Sequence, residues 1–159
     1  MRLKNIFWLI LLIFLLFSLP SITSAFWGGG GDDKSPKKTN FEKGIDEVEA
    51  KNYKKAVKYF KKAAKKDSDN ADIYNLLGYS YRKMGKYDES LEYYTKALSI
   101  DPKHLEANEY IGELYLETNK PDKSKEHLQV LSEACSSSCE QYETLKKAIE
   151  LYENDNPNT

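Results

Sequence analysis

The feature that most constrains this chain is an internal repeat with a period of 34 residues. The period relates four pairs of positions, Leu77/Ile111, Gly78/Gly112, Tyr81/Tyr115 and Ser90/Ser124. One period earlier, the same register contains Gly44, Tyr53, Ala56, Phe60 and Ala63. A fixed period of this length is typical of repeat proteins, in which each unit buries its apolar face only by stacking on its neighbours. The sequence therefore predicts a chain of stacked repeat units.

Each unit has the apolar spacing of two amphipathic helices joined by a short turn. The predicted turns lie at residues 51–52, 85–86 and 119–120. Glycine inside a helix costs about 1 kcal/mol relative to alanine, so a helical glycine needs a packing reason. We therefore expect Gly78 and Ala97 to lie where two helices cross closely.

Helix starts carry recognisable caps. Thr39 and Glu42 form a capping box, and Pro121 is suited to the first turn of a helix. Two more starts are predicted by the same kind of signal, Asp101 before Pro102 and Ser137 before Glu140.

In these positions the chain resembles the tetratricopeptide repeat family. Residues 71–104 match nearly every signature position of that family, namely Tyr74, Leu77, Gly78, Tyr81, Gly85, Tyr87, Tyr94, Ala97 and Pro102. Residues 105–138 also match well. Residues 37–70 are degenerate, because Lys43 and Glu47 occupy two positions that are usually apolar.

The resemblance implies an all-α fold, a right-handed α-solenoid of three helix-turn-helix repeats after an N-terminal signal or anchor segment. A further amphipathic helix at residues 139–153 is expected to cap the last repeat. Residues 154–159 are expected to form a disordered tail.

The first 25 residues have the pattern of an export signal. Two basic residues precede an apolar run from Ile6 to Leu19, and small residues follow up to Ala25. The run is shorter than the roughly 20 residues that span a bilayer, which favours a cleaved signal peptide over an uncleaved membrane anchor. Residues 26–36 contain four consecutive glycines and are expected to be a flexible linker. The sequence predicts an exported protein, periplasmic or anchored in the inner membrane and facing the periplasm.

Catalytic motifs are missing from the sequence, which contains no nucleophile elbow, phosphate loop or His-Glu-x-x-His zinc motif. The two histidines, His104 and His127, have no motif around them and are expected at the surface. We therefore expect no enzymatic activity and no cofactor.

The only two cysteines, Cys135 and Cys139, are separated by three serines. In an exported protein such a pair favours a disulfide, which would join the last repeat helix to the capping helix. Two free thiols are an alternative. A third interpretation is a thiol pair that carries copper or exchanges electrons, because thiolates suit soft metals.

Binding is the function that the family resemblance implies, because the first helices of its repeats line a concave groove for a peptide. Carried over to this chain, the groove residues are Phe41, Ile45, Asn75, Tyr79, Arg82, Lys83, Glu106, Glu109, Glu113 and Glu117. The lysine and asparagine set that holds C-terminal carboxylates in chaperone-binding relatives is not matched, since Phe41 and Ile45 occupy two of its positions. The four glutamates lie on one helical stripe, which predicts a protein or peptide partner with basic residues and an apolar anchor.

Charge is unevenly distributed along the repeats. Residues 37–70 contain eleven lysines and six acids, whereas residues 105–138 contain three lysines and seven acids. Most of the lysines of the first repeat lie on its second helix, which is either a solvated face or a basic surface for anionic lipid or glycan. We expect no nucleic-acid partner, and membrane association only through an uncleaved N-terminus or this lysine-rich repeat.

Overall fold

The computed structural model describes residues 37–135 and 139–157. These residues form seven α-helices, which are α1 (Asn40–Glu49), α2 (Tyr53–Ala64), α3 (Ala71–Lys83), α4 (Tyr87–Ile100), α5 (Leu105–Glu117), α6 (Pro121–Cys135) and α7 (Glu140–Asp155). The all-α prediction is confirmed over this part of the chain. The predicted signal segment 1–25 and linker 26–36 lie outside the described residues.

The helices pack as consecutive pairs, α1 on α2, α3 on α4 and α5 on α6, and each pair is one repeat. The turns within the pairs are equivalent, because Lys51, Gly85 and Asn119 follow one another at the repeat period and all have positive φ angles of 57°, 72° and 56°. Of these three, only glycine adopts this conformation without steric cost. The turn geometry therefore repeats together with the sequence.

Glycines mark the helix crossings. A Cβ atom built on Gly78 would lie 2.5 Å from Cδ1 of Tyr94, which is fully buried, and Gly44 is covered in the same way by Phe60. The third repeat differs, because Leu145 of α7 lies over Gly112. The predicted close crossing at Gly78 is confirmed, and the third repeat is completed by the capping helix.

The capping helix packs on both helices of the third repeat. Leu145 and Ile149 are buried, and Tyr142 and Tyr152 pack beside them. The helix extends to Asp155. The core clusters draw on residues between 41 and 152, so the unit from residue 36 to 159 contains its own hydrophobic core.

The predicted caps are partly right. The capping box of Thr39 and Glu42 is present, and α6 begins at Pro121. The prediction for Asp101 is wrong, because its carboxylate accepts a hydrogen bond from the Lys103 backbone N–H at 3.0 Å and so closes a local turn.

The prediction that Ser137 caps the last helix is also wrong. Cys139 occupies the N-cap position of α7, which begins at Glu140. Ser137 itself lies outside the described residues.

Among the described helices, none combines the length and apolar character needed to cross a membrane.

Candidate functional site

Arg82 connects the first helices of the second and third repeats, α3 and α5. Its Nη1 lies 2.5 Å from Oε2 of Glu113, and its Nε lies 3.3 Å from Oε1 of Glu117. Nη1 also donates to the backbone carbonyl of Tyr110 at 3.1 Å. The Arg82 side chain is only 7% exposed. The structure thus brings three of the predicted groove residues together around one buried cation.

This pairing changes the interpretation of the acidic stripe. Burial alone would lower the pKa of Arg82, but Glu113, Tyr94 and Glu117 together outweigh burial and hold that pKa above its ordinary value. Arg82 forms ion pairs with Glu113 and Glu117 within the chain. The stripe of Glu106, Glu109, Glu113 and Glu117 therefore does not offer four free carboxylates to a partner.

The other two acids of the stripe differ from each other. Glu106 accepts a hydrogen bond from Nε2 of Gln141 at 3.2 Å. Glu109 has no hydrogen bond or ion pair to any described residue, although its carboxyl group is half-buried. Burial, reinforced by the negative charges of Glu113, Glu106 and Glu140, raises the pKa of Glu109 to about 7. Glu109 is therefore the carboxylate of the stripe that lacks a partner.

Tyrosine rings lie beside these charges. The ring centroids of Tyr79 and Tyr110 are 5.3 Å apart, and Tyr53 of α2 meets Tyr79 edge-on at 6.2 Å. The Nζ atom of Lys83 lies 5.2 Å from the Tyr79 centroid. The rings of Tyr53, Tyr79 and Tyr110 form an aromatic strip across α2, α3 and α5, with one helix from each of the three repeats.

Sequence reasoning included Tyr79 in the groove but missed Tyr53 and Tyr110. The signal for Tyr110 was available, because Tyr110 falls at helical spacing between Glu106 and Glu113 on the same stripe of α5. Tyr53 gave no comparable signal, since it begins the second helix of its repeat and reaches the strip only through the packing of α2 on α3.

The predicted residues of the first repeat lie apart from this cluster. Phe41 and Ile45 pack against the core that the first two repeats share, where the ring of Phe41 lies 6.0 Å from that of Phe60. Asn75 is 4% exposed, and its Oδ1 has no hydrogen-bond partner among the described residues.

Two hollows lie next to the predicted residues. One of about 740 Å³ at the N-terminal end is lined by Phe41, Ile73 and several lysines. Another of about 330 Å³ is lined by Arg82, Glu113, Leu116, Glu117, Ala148 and Tyr152. The apolar and the acidic ends of the predicted groove therefore border two different hollows.

Comparison with known families agrees with the repeat register. Residues 71–104 match the family model described as tetratricopeptide repeat, and residues 46–85 match a model described as TPR repeat. The chain is a tetratricopeptide repeat protein. No curated protein matches the sequence.

Solved structures share the fold of this tetratricopeptide repeat protein at low sequence identity. The TPR domain of Arabidopsis OM64 is 18% identical with a TM-score of 0.65, and the match covers 71% of this chain and 93% of that one. The Yersinia enterocolitica type III secretion chaperone SycD, in complex with a peptide of the translocator YopD, is 18% identical with a TM-score of 0.65, covering 73% and 91%. The second TPR domain of human RPAP3, in complex with an HSP70 peptide, is 19% identical with a TM-score of 0.64, covering 70% and 92%.

The prediction that both histidines of this tetratricopeptide repeat protein lie at the surface is wrong. His104 is 8% exposed and caps α5, where its Nδ1 accepts a hydrogen bond from the Ala107 backbone N–H at 3.2 Å. Its Nε2 lies 2.9 Å from Oδ1 of Asp72. In this tautomer Nε2 is the donor. His104 thus ties the start of the third repeat to the start of α3.

His127 is half-buried on α6. Its Nδ1 lies 2.9 Å from Oδ1 of Asn108, and its ring stacks on Tyr115 with centroids 5.7 Å apart. Burial lowers the pKa of His127. Both histidines serve packing within the tetratricopeptide repeats, which their lack of a motif did not reveal.

The cysteines of this tetratricopeptide repeat protein lie at the junction of α6 and α7. Their Cα atoms are 5.7 Å apart, a separation that a disulfide can bridge. Residues 37–135 and 139–157 contain no cluster of three or more histidine, cysteine, aspartate or glutamate side chains arranged to hold a metal ion.

Proposed function

We propose that this tetratricopeptide repeat protein is a non-catalytic scaffold that binds a peptide segment of a partner protein along α3 and α5. The observation that carries the proposal is Glu109, a half-buried carboxylate without a partner among the described residues, next to the strip of Tyr53, Tyr79 and Tyr110. The peptide complexes of SycD and RPAP3, which share the fold, support binding of a peptide as the kind of activity.

The chemistry of these residues favours a ligand with a lysine or arginine. A cation beside Glu109 would replace the proton that burial favours there, and tyrosine faces attract cations as well. An apolar anchor would fit the hollow lined by Phe41 and Ile73. The partner we propose therefore combines basic residues with one apolar side chain.

The setting we propose for this scaffold is the bacterial envelope, either in the periplasm or on the periplasmic side of the inner membrane. The support is the sequence pattern of residues 1–25, with its basic start, apolar run and small residues.

A panel of short synthetic peptides tests the binding proposal. Peptides that combine lysines with a leucine should bind, whereas the same peptides with glutamate in place of lysine should not.

Glu109→Gln should weaken binding about tenfold, which corresponds to ~1.4 kcal/mol. The wild-type affinity should rise between pH 6 and pH 8, because the pKa of Glu109 is about 7 and only its ionised form attracts the cation. Fluorescence anisotropy measures each affinity.

The matched control is Glu150→Gln, which removes an exposed carboxylate from the capping helix α7. This variant should bind as the wild type does and keep the same dependence on pH. Equal losses in both variants, or binding of the glutamate peptides, would refute the site at Glu109.

We also propose that Cys135 and Cys139 form a disulfide that holds the capping helix on the last repeat. The short separation of their Cα atoms supports this. Maleimide labelling of the denatured exported protein should detect two thiols only after reduction. The small loop predicts a stabilisation of only ~2 kcal/mol. Two reactive thiols before reduction would contradict the disulfide and favour the metal or redox interpretation of the pair.

A further inference from the structure

The second helix of the first repeat carries a run of unbalanced positive charge. Residues 53–66 contain no acidic residue, and their lysines are Lys54, Lys55, Lys58, Lys61, Lys62, Lys65 and Lys66. All seven side chains are exposed, and we call them the lysine face. The corresponding helices α4 and α6 mix acids with lysines. The lysine face is therefore a property of the first repeat and not of the repeat pattern.

The fold does not neutralise this charge. Within the described part of the chain, Lys55 alone among the seven lysines has a carboxylate within ion-pair distance, Glu47 at 3.9 Å. Lysines spaced three or four residues apart on a helix repel one another and destabilise it. The repeat thus carries an electrostatic cost that this one long ion pair offsets only in part.

Tyrosine rings lie under the lysines. The Nζ atom of Lys61 lies 5.5 Å from the ring centroid of Tyr81 and 5.8 Å from that of Tyr93, and Lys62 lies 5.9 Å from Tyr59. Tyr59 and Tyr93 are half-buried. Tyrosine, with an apolar body and a polar hydroxyl, is suited to the boundary between a bilayer and water.

The position of the lysine face in the chain adds an independent argument. The eleven residues 26–36 separate the first repeat from the apolar N-terminal segment, and an extended chain of that length reaches about 36 Å. In the uncleaved alternative, the first repeat stays within this reach of the bilayer that the N-terminal segment enters. Weak surface contacts then act at a high effective concentration.

From these observations we infer that the lysine face docks on the surface of an anionic lipid bilayer. The headgroup phosphates contact the exposed ammonium groups, and the tyrosines beneath lie at the level of the headgroups. This surface is formed by α2 and α4 and is separate from the site at Glu109, so its test does not depend on peptide binding.

Vesicle flotation of residues 36–159 tests the inference without the N-terminal segment. The fragment should bind vesicles with about one quarter phosphatidylglycerol and not pure phosphatidylcholine vesicles, and salt should weaken this binding. Replacing Lys58, Lys61, Lys62 and Lys65 together with glutamine should lower the partition coefficient by roughly six-hundredfold, since each of the four lysines near such a surface contributes about fivefold.

The matched control replaces four other exposed lysines with glutamine, Lys120, Lys123, Lys146 and Lys147. It changes the net charge equally and should lower partitioning less than about threefold, since these lysines lie outside the lysine face. Circular dichroism establishes that both variants are folded. No binding to the anionic vesicles, equal losses in the two variants, or binding to heparin without binding to vesicles would each overturn the inference.

Discussion

Replacing Gly78 with leucine should remove more than about 3 kcal/mol from the free energy of unfolding, at the upper end of overpacking effects. The reason is the crossing of α3 and α4, where even a Cβ atom would lie 2.5 Å from the ring of Tyr94. Tyr94 is fully buried and cannot move aside without displacing the neighbouring core. Denaturant unfolding followed by circular dichroism measures the loss.

Thr95→Leu provides the control, because it adds a leucine to the same helix pair at an exposed position. Its stability should stay within about 0.5 kcal/mol of the wild type. If Gly78→Leu were as stable as Thr95→Leu, the close crossing of α3 and α4 would be wrong.

Replacing Arg82 with methionine should cost about 3 kcal/mol of folding stability, because it leaves the carboxylates of Glu113 and Glu117 without their cation. Methionine keeps much of the apolar volume, so the loss reports mainly on the charges. Adding Glu113→Gln to Arg82→Met should restore part of the lost stability, since one unpaired carboxylate is then neutral. Urea unfolding of the two single variants and the double variant gives the coupling energy.

Lys83→Met is the matched control, since Lys83 is the exposed neighbour of Arg82 on α3. It should change stability by no more than about 0.5 kcal/mol. Strictly additive effects of Arg82→Met and Glu113→Gln would mean that the two side chains do not stabilise each other.

The helix pairs could be predicted from the sequence because each depends on residues close together in the chain. The period places a glycine opposite an aromatic residue sixteen positions later, as with Gly78 and Tyr94, and both positions are visible in the sequence. The turn at Asn119 follows from the same register.

The site was less predictable because it forms between repeats. The pairing of Arg82 with Glu113 depends on how far α5 is displaced along α3, and the periodicity of one helix does not contain that offset. For the same reason, sequence reasoning assigned Glu113 to a partner and His104 to the surface, although His104 bonds to Asp72 in the preceding repeat. Which charged groups of the site are paired is therefore determined by contacts between residues about one repeat period apart in the sequence.

The position of Leu145 over Gly112 has a consequence for changing the size of this molecule. In the first two repeats the space above the glycine is filled by an aromatic side chain of the same unit, so this contact does not depend on a following helix. The third is filled by a side chain from α7, which belongs to no repeat. A longer version of the protein can therefore be made by duplicating the second repeat. A unit inserted directly after α6 would instead displace Leu145 and the capping helix from the third repeat.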